Sequence, residues 1–147
     1  MTRRDLIATS IAALSYRATA QKISGLPFAS ALTAAEAIRK RTISSVELTK
    51  MCFDRIRQFN PRINAIVVQL ESEAMKRASE ADAAVARREN WGPFHGVPIT
   101  IKESFAIPGT PATWGLAEFK DKRSTFKAVA VERLERSWLV KPTCRSC

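Results

Sequence analysis

Apolar positions recur at helical spacing over three stretches, form one short β-branched run and alternate over one short stretch. Ala34 to about Arg41 is a short helical pattern opened by Thr33-Ala-Ala-Glu36. This is a capping box, in which the Thr hydroxyl takes a backbone N–H and the Glu reaches back. Ser44-Ser-Val-Glu47 repeats the device, and Val46, Leu48, Cys52, Phe53, Ile56 and Phe59 then share one broad apolar face. Asn60-Pro61 predicts the end of that helix, because the residue before a proline avoids helical angles. Ile63–Leu70 is a β-branched run and predicts a strand. Glu71 to about Arg88 predicts a second long helix with Ala74, Ala78, Ala81 and Val85 as its inner stripe. Small residues there imply close packing on a neighbour. After a break at Asn90-Trp-Gly-Pro93, Val97, Ile99 and Ile101 alternate as a strand should. Strands alternating with helices predict a layered α/β fold.

The first twenty residues follow a different logic. Arg3 and Arg4 precede a short apolar run, Leu6 to Leu14, and Ala18-Thr19-Ala20 is a small-x-small cleavage site. Residues 1–20 are therefore expected to be an export signal resembling the bacterial twin-arginine type, an address rather than an anchor. Residues 21–31 would be a linker, and the mature chain would work in the periplasm. The alternative, an amphipathic N-terminal helix, keeps the protein in the cytoplasm.

Charge adds one exclusion. The 147 residues carry a net charge of +10, but residues 42–117 hold nine basic and eight acidic groups. The excess sits at the two ends, whereas nucleic-acid binding wants a basic face on the folded part. No nucleic-acid partner and no membrane anchor are expected. One His and three Cys supply neither a histidine-rich metal site nor a disulfide framework.

Candidate chemistry centres on Lys102, which closes an apolar strand. Ligand crevices form at the C-terminal ends of strands in α/β sheets. A lysine buried there loses its charge readily and can act as a base; a solvated lysine is the plainer alternative. His95 reads as a turn residue, and Cys52, on an apolar face, as a structural thiol.

The stretch Gly92-Pro-Phe-His-Gly-Val-Pro-Ile-Thr-Ile-Lys102-Glu103 resembles the G-P-L-H-G-V-P-I-x-I-K-D motif of amidase-signature hydrolases. Ile43-Ser-Ser-Val-Glu-Leu, Asn60-Pro61, Ala81-Asp82, Gly109-Thr-Pro-Ala-Thr-Trp-Gly115 and Ala128–Leu134 follow in family order, so residues 32–134 resemble part of an amidase domain. The resemblance implies the N-terminal part of a three-layer α/β/α fold with a mixed sheet, incomplete in this chain. It implies hydrolysis of a C–N amide bond in a small-molecule substrate by a Ser-cis-Ser-Lys mechanism, with Lys102 as base and no cofactor or metal. Glu103 stands where the family usually has Asp.

The family's two serines lie in a Gly/Ser-rich stretch with no counterpart here. Ser104, Ser124, Ser137 and Ser146 lack that context. The chain is expected to carry the base, to lack the nucleophile and to be inactive alone. Residues 135–147 read as an out-of-frame tail, because allowed codons from Val140 onward give K-T-N-V-P in another frame, where the family has G-K-T-N-x-P. The rival for the tail is a Cys144-x-x-Cys147 redox or zinc site. A non-catalytic interaction fragment and a basic nucleic-acid-binding protein are the alternative functions.

Overall fold

The computed structural model describes residues 28–145; the expected export signal lies outside them. Helix α1 spans Ala31–Arg39, α2 Ser45–Ile63, strand β1 Ile66–Gln69, α3 Glu71–Ala86 and β2 Phe94–Lys102. A short 3-10 turn at Ala117–Phe119, helix α4 at Val129–Ser137 and strand β3 at Trp138–Arg145 follow. The sheet is mixed, in the order β1-β3-β2, with β3 antiparallel to β1 and parallel to β2. Ile66 pairs with Arg145, and Lys102 lies beside the same Arg145 on the other edge. The segment expected to be an out-of-frame tail thus supplies the central strand. Strand pairing is made by backbone groups, so it does not depend on which side chains the segment carries.

Helix starts follow local chemistry, with one correction. The cap of α1 is Ser30, not Thr33: Ser30 Oγ accepts from Thr33 N at 3.1 Å and contacts the Thr33 hydroxyl at 2.9 Å. Glu36 pairs with Lys40 at 2.5 Å instead of reaching back. The second capping box forms as expected, with Glu47 N donating to Ser44 Oγ at 3.0 Å and Ser44 N donating to Glu47 Oε2 at 2.8 Å. Helix α2 also runs past Asn60 to Ile63, with Pro61 inside its last turn. A proline so near the end forfeits little of the hydrogen-bond ladder. Asn60 then imitates a strand neighbour: Ile66 N donates to its Oδ1 at 2.8 Å and its Nδ2 donates to Ile66 O at 2.9 Å. That side chain starts β1 at Ile66 rather than at Ile63.

The elements join at one point. Asp82 on α3 accepts from Ser45 N at 2.7 Å through Oδ1 and from Val46 N at 3.1 Å through Oδ2. With the capping box, every orphan N–H from Ser44 to Glu47 has an acceptor. The Ser45 hydroxyl, fully buried, donates to Gly96 O on β2 at 2.5 Å. Around this point pack Ala34, Ala35, Ile38, Ile43, Leu48 and Val97, one of three small core clusters among the described residues. A second is Phe53 seated on Ala74 and Ala78, as the alanine stripe predicted. The third, Ile101, Ile107 and Val131, ties the far end of β2 to α4.

Gly96 has φ +73°, and a Cβ there would lie 3.0 Å from Ser45 Cβ and 3.4 Å from Ile38 Cδ1. Left-handed backbone and overpacking together make Gly96→Ala cost about 2 kcal/mol or more. The urea concentration that halves the helical circular-dichroism signal is expected to fall accordingly. An unchanged midpoint would show that α2 does not depend on β2 at this contact.

Candidate active site

Strand β2 is held at both ends, and its C-terminal end carries the candidate chemistry. At the start, His95 is 1% exposed. Trp91 N donates to its Nδ1 at 3.0 Å, so Nε2 carries the proton and donates to Ala81 O on α3 at 2.9 Å. His95 is therefore a buried strand residue and not the turn residue expected from the sequence. Both ring nitrogens are engaged, leaving neither for a substrate. The Trp91 ring lies 4.9 Å from the His95 ring and carries Arg77 4.2 Å above its centre.

At the other end the side chains alternate in and out. Ile101 and Glu103 are buried, and Lys102 between them is exposed. The chain turns immediately: Phe105 N donates to Lys102 O at 3.0 Å, placing Glu103 and Ser104 at the centre of the turn. The Glu103 carboxylate receives the Thr113 and Trp114 backbone N–H groups, the latter at 3.2 Å. The returning loop is pinned by Gly109 N to Ser124 O and Ser124 N to Thr110 O, both 2.9 Å. Beside it opens a cavity of about 430 Å³ lined by Ser104, Phe105, Trp114, Arg123 and Phe126 among others. Phe105, Trp114 and Phe126 are exposed there.

The serines take separate places. Ser104 and Ser124 both line this cavity. The Ser124 hydroxyl serves its own turn, donating to Phe126 O at 2.8 Å and accepting from Phe126 N at 3.3 Å. Ser137 closes α4, and Ser146 lies outside the described residues. The structure thus brings Lys102, Glu103 and Ser104 to one strand end. Among the described residues no group of three or more His, Cys, Asp or Glu is placed to hold a metal ion. No described helix is long and apolar enough to cross a membrane. The Cys144–Cys147 pair falls partly beyond the described residues.

Sequence reasoning quoted Asp82 and Glu103 only as motif positions and gave neither a role. The usable signal for Asp82 was its place beside the alanine stripe, where a charge needs a partner. For Glu103 the signal was the strand's alternation, which turns it inward next to Ile101.

These features define an α/β unit in which a lysine closes a sheet strand against a turn and an open cavity. The profile of the amidase family matches residues 47–140, more than half of the chain. The chain belongs to the amidase family, and it carries part of the amidase-signature α/β fold. It is 43% identical over 108 residues to an indoleacetamide hydrolase of Bradyrhizobium diazoefficiens, covering 74% of this chain and 21% of that protein. It is 35% identical over 109 residues to an acylamidase of Rhodococcus erythropolis, covering 74% and 23%. A bacterial aryl acylamidase of the amidase-signature family superposes with a TM-score of 0.72 at 25% identity, covering 80% of this chain and 25% of that one. A fatty acid amide hydrolase superposes with 0.73 at 25% identity, covering 80% and 21%. The chain spans about a quarter or less of the length of these proteins.

Cys52, placed by sequence on an apolar face, is mostly buried, and that burial pushes its thiol up from the ordinary range against a weaker opposing pull from Arg55. The thiolate is therefore scarcer at a given pH than in an unfolded chain. At about pH 8, iodoacetamide should alkylate Cys52 severalfold more slowly in the native chain than in urea, with the rate climbing as pH rises. Peptide mapping checks this, and equal rates in both states would contradict the burial.

Proposed function

We propose that this chain supplies the lysine strand of an amidase that hydrolyses a small-molecule amide by a Ser-cis-Ser-Lys mechanism, and that the 147-residue chain alone is inactive. The observation that carries the reading is Lys102 itself. It stands at the matching position of the family motif, at the C-terminal end of β2, where the chain turns into a cavity-lined loop. In the proposed reaction the Lys102 amine takes a proton from the middle serine. That serine relays the proton from the nucleophilic serine as its oxygen attacks the amide carbonyl. The C–N bond breaks as the leaving amine takes a proton, and water then hydrolyses the acyl-enzyme. Backbone N–H groups beside the nucleophile would stabilise the oxyanion. The serines are assigned to a Gly/Ser-rich segment that this chain does not carry.

The test uses a version of the protein extended by that segment. Lys102→Ala should lower kcat/KM by roughly 10²–10⁴ or more, since groups acting as a unit lose most of their effect together. Lys102→Arg should not rescue it, because guanidinium stays protonated. Substantial activity in either variant removes Lys102 from the mechanism. The 147-residue chain should not react with a fluorophosphonate, and labelling of Ser104 or Ser124 would overturn its proposed inactivity.

We further propose that the protein is exported through the twin-arginine route. Arg3-Arg4, the short apolar run and Ala18-Thr19-Ala20 support this. Mass spectrometry of a periplasmic fraction should find a mature N-terminus near Gln21; an intact Met1 on cytoplasmic protein would refute it.

A further inference from the structure

We propose that Glu103 is a positioning residue for Lys102, a role that rests on the reading of Lys102 as the base. Glu103 is 5% exposed. Its Oε1 accepts the Thr113 backbone N–H and its Oε2 accepts that of Trp114 at 3.2 Å. Ten residues of loop are thereby closed onto the residue that follows Lys102. The receiving turn is itself built for this. Trp114 has φ +55°, Gly115 has φ +79°, and Gly115 N donates to Thr113 Oγ1 at 3.1 Å, which presents the Thr113 and Trp114 N–H groups side by side.

The same carboxylate governs the turn that opens at Lys102. Glu103 is the second residue of that turn, which closes by Phe105 N donating to Lys102 O at 3.0 Å. On either side of it Ile101 and Ile107 pack on Val131. Glu103 is buried and Lys102 before it is exposed, so holding the carboxylate inward holds the turn from which the lysine emerges. The charge and the two oxygens are both needed. A carboxylate offers acceptors only, whereas an amide of the same shape has one oxygen and one NH₂ group. In Glu103→Gln that NH₂ would face a backbone N–H, donor against donor, in a buried place.

Amide hydrogen exchange by NMR on the 147-residue chain tests the proposal without substrate. In the native chain the Thr113, Trp114 and Phe105 amides should exchange slowly; if Thr113 and Trp114 exchange as fast as exposed loop amides, the proposal fails at once. Glu103→Gln should speed all three by roughly ten- to hundredfold, while Leu48 in α2 and Ala78 in α3 keep their rates. Phe105 is the decisive amide. A carboxylate that only ties down the loop would release Thr113 and Trp114 and leave Phe105, and so the Lys102 turn, unchanged; that result overturns the positioning role. Glu103→Asp keeps both acceptors and should hold all three amides within about threefold of the native rates. Should Glu103→Gln unfold the chain throughout, the Asp variant decides: slow exchange at all three supports the proposal, fast exchange with intact helices refutes it. Failure of the amidase reading would appear in the Lys102 variants and not here, so the two can be told apart.

Discussion

The contact between the Asp82 carboxylate and the first turn of α2 is the constraint on which the rest of this fold depends. A helix start leaves backbone N–H groups without partners and carries a partial positive charge. Asp82 meets both conditions from a neighbouring helix, taking the Ser45 and Val46 N–H groups on its two oxygens. That fixes α2 against α3 at one height and one rotation. Ser45 is then aimed at Gly96 O, and only a glycine leaves room for it there. One residue earlier His95 bonds Ala81 O, the carbonyl next to Asp82. Two helices and a strand are thus locked by the side chains of Ser45, Asp82 and His95, which bond backbone groups of Gly96, of Ser45 and Val46, and of Ala81.

Electrostatics explains why the lock is polar and not simply apolar. The alanines of α3 bring α2 close, but small side chains slide over one another at little cost. Hydrogen bonds to a charged group are worth roughly 1.5–3 kcal/mol each and are strongly directional, so they set the register that alanine packing leaves open. Surface ion pairs add little beside this. Lys40–Glu36 and Arg57–Asp54 are largely solvated, and water screens such pairs.

Much of this was legible in the sequence because it is local. The Ser44–Glu47 capping box, the apolar face around Phe53 and the alanine stripe each follow from short-range rules; the box holds, the face holds except at the exposed Phe59, and the stripe holds with Ala84 buried in place of Val85. The errors have equally definite causes. Two overlapping Ser/Thr signals, at Ser30 and Thr33, competed for one helix start. Asn60 supplied strand-like bonds from a helix, which moved the start of β1. His95 was expected in a turn, yet it lies in β2, and the glycine after it makes room for Ser45. The roles of Asp82 and Glu103 were not readable, since their partners lie far along the chain or in a returning loop. The central position of β3 was not readable either: its pairing is a backbone property that no side-chain pattern announces.

Asp82 and Glu103 turn out to be versions of one device at opposite ends of β2. Each carboxylate receives two successive backbone N–H groups, Ser45 with Val46 and Thr113 with Trp114. The need for two follows from length. At about 3.3 Å per residue, the six residues from Gly96 to Lys102 separate the helix lock from the lysine by roughly 20 Å. Pairing with β3 holds the backbone of the far tip as far as Lys102, but the turn that begins there lies beyond the sheet. The apolar contact of Ile101 with Ile107 and Val131 packs one side of that turn. A second polar anchor placed directly after Lys102 holds that turn, with the carboxylate buried and the lysine before it exposed.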